Sequence, residues 1–163
     1  MKKYKVLFCD LDGTLIETLS GKTFPQGVWD MKFKFDVLDA IKKLAPDSLF
    51  IVSNQGGIEN GFVDRIDFND KMSYIVSSIK EYCHINTTKG IYCPHNDKNN
   101  QNRKPNTGML NCLKITHGFS KEQALMIGDA SGKPGQFSDT DKKTAENFGI
   151  DYMDVQDFVK KSI

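Results

Sequence analysis

Val6-Leu7-Phe8-Cys9 is an unbroken apolar run that stops at Asp10-Leu11-Asp12-Gly13-Thr14-Leu15. Apolar residues without alternation suit a strand buried on both faces, as in a parallel sheet, and the Asp and Gly that follow end it in a turn. Residues i and i+2 of a strand share a face, so the carboxylates of Asp10 and Asp12 can address one small volume just past the strand end. Like charges that close repel unless a cation or a shared proton intervenes.

Further along the chain, strand and helix patterns alternate. Residues 14–34 carry Gly21, Pro25 and Gly27 among scattered aromatics (Phe24, Trp29, Phe33), which suits a flap or small hairpin. Val37, Ile41 and Leu44 give an amphipathic helix stopped by Pro46, and Ser48 to Val52 is a second strand ending at Ser53-Asn54-Gln55-Gly56-Gly57. Met72, Ile75, Ile79 and Tyr82 mark a helix over Phe68 to Cys83, and Gly90 to Cys93 a third strand. The Asn-rich stretch 94–104 reads as a surface loop, after which Pro105 opens a helix through Met109, Leu110 and Leu113. Ser120 with Gln123 suggests a capping box before the strand Ala124 to Ile127, which ends at Gly128-Asp129. Ser138 is expected to cap a last long helix that Gly149 closes. The pattern predicts an α/β fold, a doubly wound parallel sheet with helices on both faces and essentially no cap, formed by residues 1–163 as a single domain. Such sheets bind ligands at the carboxyl ends of their strands, where Asp10, Asp12, Ser53 and Asp129 fall.

Composition narrows the function classes. The 163 residues hold 22 Lys plus Arg against 21 Asp plus Glu, a net charge of +1, so no global field favours duplex nucleic acid or an acidic membrane. No apolar run reaches the roughly 18 residues of a membrane span, and the four cysteines form no C-x-x-C, so we expect reduced thiols and a cytoplasmic protein with no membrane partner. Asp129 joins Asp10 and Asp12 as a third carboxylate at a strand end, an all-oxygen set that suits Mg²⁺. Gly21-Lys22-Thr23 lacks the glycine five residues earlier that a phosphate-binding loop needs, because Ile16 stands there.

Asp10-Leu11-Asp12-Gly13-Thr14-Leu15, Ser53-Asn54-Gln55, Lys104 in Arg103-Lys104-Pro105, and Gly128-Asp129 with Asp141 together resemble the motifs of the haloacid dehalogenase superfamily of phosphohydrolases. Within it, the chain is most similar to the 3′-phosphatase domain of polynucleotide kinase/phosphatases. Asp12-Gly-Thr-Leu-Ile running into Ser20-Gly21-Lys22-Thr23-Phe24-Pro25, Ser53 to Ile58, and Gly128 to Pro134 leading to Phe137, Ser138 and Asp141 carry that likeness. It departs at Leu19, where a basic residue is expected, and the kinase half is missing.

The resemblance implies a phosphatase in which Asp10 attacks phosphorus, Asp12 serves as acid and base, and Ser53 and Lys104 hold the phosphoryl oxygens. It further implies Mg²⁺ held by Asp10, Asp12 (through its carbonyl), Asp129 and Asp141, and substrate contacts from Ser53, Asn54, Arg103, Lys104, Lys22 and Lys133. Asp141 is preferred over Asp139 because it keeps the spacing to Ala145 and Gly149. The expected substrate is a phosphomonoester, a 3′-phosphorylated nucleic-acid end, with a separate kinase as partner. The alternatives are a sugar bisphosphate or histidinol-phosphate phosphatase and a non-catalytic phospho-ligand binding module. Phosphatases of the heptose bisphosphate and histidinol phosphate group often carry zinc, and Cys93-Pro94-His95 resembles half of such a site. Asn100 and Asn102 stand where two cysteines would complete it, so Cys93 reads as a buried strand thiol.

Overall fold

The computed structural model describes residues 2–163. In chain order the elements are β1 (Val6–Cys9), β2 (Ile16–Glu17), β3 (Lys32–Phe33), α1 (Phe35–Leu44), β4 (Ser48–Asn54), α2 (Arg65–Cys83), β5 (Thr87–Cys93), α3 (Gly108–His117), β6 (Ala124–Gly128), α4 (Thr140–Phe148), β7 (Asp151–Asp154) and α5 (Val155–Ser162). The central sheet has the order β5-β4-β1-β6-β7, and every pair in it is parallel. From β1 the chain winds outward to β4 and β5, then crosses back to β6 and β7. The winding direction reverses at β1 and β6, and that switch leaves a crevice beyond their carboxyl ends.

Strand alternation divides the core into two layers. Leu7, Cys9, Leu49, Ile51, Leu125 and Ile127 pack on α1, α2 and α5, through residues such as Ile41, Ile75 and Phe158. Val6, Phe8, Phe50, Val52 and Met126 face α3 and α4, through Leu110, Leu113, Ala145 and Phe148. Phe8 anchors the second layer, with its ring 5.4 Å from both Phe50 and Phe119. β1 is paired on both edges and covered on both faces, the environment its unbroken apolar sequence requires. The chain between β1 and α1 forms a two-stranded antiparallel hairpin, β2 with β3.

Four local expectations need correction. Gly108, three residues after Pro105, is where α3 begins. Ser120 makes no box with Gln123: its hydroxyl bonds Glu122, and only a single 3-10 turn, Lys121–Gln123, follows. Asp139, not Ser138, occupies the N-cap of α4, and neither the sequence spacing nor the Ser138 hydroxyl, 3.4 Å from the Thr140 N–H, makes a strong cap. Nor is α4 the last element, because β7 and α5 follow it. β7 is a four-residue edge strand with three polar or amphipathic residues, too short and mixed to show a period.

Candidate active site

Asp10 follows the last residue of β1, and its N–H donates to the Ile127 carbonyl of β6 at 3.1 Å, fixing it beside the strand that carries Asp129. Asp141, in the first turn of α4, completes the group: one carboxylate oxygen of each of Asp10, Asp129 and Asp141 lies within 4.8 Å of the others. Two glycines permit this approach. Gly13 has φ +79°, and a Cβ there would stand 2.1 Å from an Asp129 carboxylate oxygen. A Cβ on Gly128 would stand 2.4 Å from Asp141 Oδ2. The Ala130 N–H donates to Asp141 Oδ2 at 3.1 Å while the Asp141 N–H returns to the Ala130 carbonyl, so the β6 loop and α4 are clasped together. Asp139 faces the other way and pairs with Lys143 at 3.1 Å.

Lys104 answers the acidic cluster. Only 4% exposed, its Nζ lies 2.8 Å from Asp10 Oδ1 and 2.7 Å from Asp141 Oδ1. Burial alone would lower its pKa, but the two carboxylates outweigh that and hold it above its ordinary value. Burial, then the charges of Asp10 and Asp141, push Asp129 up to about 7. Burial and Asp10 likewise raise Asp141 to about 6 against the pull of Lys104. Carboxylates crowded into such a volume repel one another, and an all-oxygen donor set of this kind fits Mg²⁺.

The peptide of Lys104 is held by Asn54 at the end of β4: the Asn54 amide donates to the Lys104 carbonyl at 3.0 Å and accepts from the Lys104 N–H at 2.9 Å. Amides organise the rest of this loop. Asn106 Nδ2 donates to the carbonyls of Lys98 and Asn100, and Asn100 Oδ1 accepts from the Asn102 N–H at 2.9 Å. Arg103 donates to the His95 carbonyl at 3.0 Å. The Cys93 thiol is fully buried and directed at the His95 carbonyl and Asn100 Oδ1, and His95 Nδ1 lies 3.5 Å from Glu59.

Asp12 stands at the mouth of the crevice, open to water, and its carboxylate accepts from Gln55 Nε2 at 2.8 Å. The same Gln55 nitrogen donates to the hydroxyl oxygen of Ser53, which is 1% exposed and keeps its own proton to donate. The protein mass around Asp12, and then the Asp10 charge, raise its pKa, opposed by Gln55, Lys71 and Lys104. Thr14 Oγ1 donates to Asp10 Oδ2 at 3.2 Å.

The structure thus brings Asp10, Asp12, Ser53, Lys104, Asp129 and Asp141 to one crevice. The Asp12 side chain stays outside the trio that could hold a metal, the Asn54 amide is spent on the Lys104 peptide, and Arg103 gives one guanidinium N–H to the His95 carbonyl of the lysine loop. Lys22 lies exposed in the hairpin, bonded to Gln26 at 3.1 Å. Lys133 is paired with Asp157 at 2.6 Å. Sequence reading missed Thr14, Gln55 and Lys71, and also a buried network in which the Ser131 hydroxyl meets Asp154 Oδ2 and Tyr152 at 2.6 Å each. Tyr152 in turn donates to the Gly128 carbonyl, which ties β7 to the loop bearing Asp129. Lysine within the apolar stripe of α2, at Lys71 between Phe68 and Ile75, was a visible signal.

The chain is similar to known proteins in sequence and in fold. The family model described as "Polynucleotide kinase 3 phosphatase" matches residues 5–159. The chain is 34% identical over 166 residues to the bifunctional polynucleotide phosphatase/kinase of Schizosaccharomyces pombe, a match covering 96% of this chain and 38% of that protein. It is 29% identical over 170 residues to the histidine biosynthesis bifunctional protein HisB of Legionella pneumophila, covering 93% of this chain and 41% of that one. The chain therefore spans about two fifths of the length of these relatives. Among solved structures, the D,D-heptose 1.7-bisphosphate phosphatase of B. bronchiseptica, complexed with magnesium and phosphate, superposes with a TM-score of 0.70 at 19% identity, covering 91% of this chain and 78% of that one. At that identity the likeness is one of fold.

Proposed function

The chain belongs to the polynucleotide kinase 3 phosphatase family and is a phosphatase of the haloacid dehalogenase type; from that premise we propose that it is a Mg²⁺-dependent phosphomonoesterase that removes the 3′-phosphate from a nucleic-acid end. The observation that carries the mechanism is the placing of Asp10, fixed by Lys104 and Thr14, at the same strand end as Asp12, whose carboxyl is held by Gln55 at the mouth of the crevice. An Asp10 oxygen attacks phosphorus and the bond to the leaving oxygen breaks, while Asp12 gives that oxygen its proton. Asp12 then takes a proton from water as the water attacks phosphorus. The bond to Asp10 breaks and inorganic phosphate leaves.

Lys104 and the Ser53 hydroxyl hold phosphoryl oxygens and stabilise the charge that develops on them. Asp10 and Asp129 would hold Mg²⁺ together with Asp141 and the Asp12 carbonyl, and the ion would supply Lewis-acid neutralisation of the phosphoryl group. Asp141 has a donor on each oxygen already, so its part is as much to position Lys104 as to touch the ion.

A polymer end suits a crevice with only a two-stranded hairpin beside it, and the family supports the 3′ end. We place the protein in the cytoplasm, with residues 1–163 acting as one phosphatase domain. Among the described residues no helix is long and apolar enough to cross a membrane. The test is phosphate release, with Mg²⁺ and with chelator, from 3′- and 5′-phosphorylated oligonucleotides and from heptose bisphosphate. Mg²⁺-dependent release confined to the 3′-phosphorylated strand is expected. Turnover of heptose bisphosphate alone would move the substrate to the sugar phosphates.

A further inference from the structure

One cation near the crevice has no partner. Lys71 lies in the second turn of α2, within the buried stripe Phe68, Lys71, Met72, Ile75 and Ile79, and is only 4% exposed. No hydrogen bond or ion pair reaches its Nζ among the described residues, whose ion pairs all involve other side chains. Its aliphatic stem and ammonium lie against the Phe68 ring, 5.9 Å from the centroid. Two carboxylates act on it through space, Asp12 first and then Asp30, neither within ion-pair distance, and Asp30 already accepts from the Ser20 N–H, the Ser20 hydroxyl and the Gln26 N–H. The side chain is otherwise enclosed and its ammonium keeps a narrow opening to water, for among the described residues the Thr88 hydroxyl alone is a fully buried side-chain polar group without a partner; an ammonium so placed is free to pair with an incoming anion. The β4–α2 connection starts α2 at the same end of the sheet as the crevice, and the Lys71 charge is felt there by Asp12.

Resting on the reading that Asp10 attacks and Asp12 protonates the leaving oxygen, we propose that Lys71 anchors a second-anion subsite on the leaving-group side, which takes another phosphate of the substrate one sugar away from the one removed. Lys104, held between Asp10 and Asp141, serves the phosphoryl group. Lys71, whose charge reaches Asp12, serves what departs. Two sources present this chemistry: the backbone phosphodiester of a 3′-phosphorylated strand, and the second phosphate of a sugar bisphosphate. The family favours the first.

Two substrate pairs separate these cases: thymidine 3′,5′-bisphosphate against thymidine 3′-monophosphate, and fructose 1,6-bisphosphate against fructose 6-phosphate. The readout is the ratio of kcat/KM within each pair, in which any loss common to both members cancels; a pair that is not turned over is read as the same ratio of binding constants by equilibrium titration. We expect the wild type to prefer thymidine 3′,5′-bisphosphate by about tenfold, the size of one charge-assisted contact. Lys71→Met, which keeps the stem and suits the apolar stripe, should bring the ratio to near one, and Lys71→Arg should keep most of it. A preference confined to the fructose pair and lost in Lys71→Met would uphold the subsite and overturn the nucleic-acid reading. Equal use of both members in both pairs by the wild type would overturn the subsite and leave the phosphatase reading standing. So would a preference that survives Lys71→Met.

Discussion

The acidic and basic sides of the crevice are built differently. Asp10 and Asp129 leave adjacent parallel strands, and the β1–β6 register that pairs Cys9 with Ile127 sets their separation before any side chain is considered. Lys104 arrives on an irregular loop, and its place depends on the Asn54 amide and on asparagines that satisfy the loop's own peptide groups. Backbone register is shared by the whole cooperative sheet, whereas a loop held by side-chain amides can loosen locally. The carboxylates should therefore tolerate changes of chemistry without moving, and the lysine should be displaced by changes at a distance.

The largest effect is expected on the acidic side. Asp10→Asn removes the nucleophile and should lower kcat on the order of 10⁴-fold or more. Its melting temperature should stay at or above that of the wild type, because the substitution removes one of the carboxylates crowding Asp129 and Asp141. A large drop in melting temperature would mean that Asp10 also holds the strand end in place, contrary to the contrast drawn between the two sides.

Lys104→Met comes next and should differ in kind. Losing a charge aimed at the phosphoryl group should cost on the order of 10²–10³-fold in kcat. It should also destabilise the protein by about 3 kcal/mol, since Asp10 and the buried Asp141 would be left without their counter-charge. Activity and thermal unfolding measured on the same preparation test both halves.

What could be read from the sequence follows the same division. A strand buried on both faces announces itself by Val6-Leu7-Phe8-Cys9, and its end locates Asp10 and Asp12, because strand geometry has a fixed period. The hairpin, α1, β4, α2, β5 and β6 were visible for similar reasons, though several began one to three residues earlier than their apolar pattern. Tertiary hydrogen bonds have no period. Nothing local to Asn54 says that its amide will hold a peptide 50 residues away, nor that Tyr152 will reach Gly128. β7 and α5 escaped notice because their identity depends on β6 offering an edge and α1 offering a face.

The lysine loop offers a finer test of that contrast. Asn54→Ala leaves every charged group in place but removes both bonds to the Lys104 peptide. Stability should fall by about 1–2 kcal/mol, as for buried hydrogen bonds, which is about 2–8 °C in melting temperature for a chain of this size. The expected loss in kcat is about tenfold, and KM should change less, because the lysine is misplaced and not removed. An unchanged kcat with the same loss of stability would show that the ion pairs to Asp10 and Asp141 alone fix the ammonium.

The smallest effect concerns protons and the cation. In the metal-free protein Asp129 is raised to about 7 and Asp141 to about 6, above the usual value of about 3.9 for the unfolded chain. The folded state thus holds protons that the unfolded state has released between about pH 4 and 7. A raised pKa contributes stability that is full below the unfolded value and is lost as pH rises through the folded one, so the melting temperature of the metal-free protein should fall steadily between pH 5 and 8. Mg²⁺ competes with those protons and binds the ionised cluster, so the rise in melting temperature on adding it should be larger at pH 8 than at pH 5. Asp129→Asn should remove most of both the pH slope and the Mg²⁺ response while keeping the two helix layers intact, since Asp129 lies outside both apolar clusters. Equal Mg²⁺ shifts at pH 5 and pH 8 would mean that the ion binds elsewhere than among Asp10, Asp129 and Asp141, and the acidic side would then be a proton-binding cluster and no metal centre.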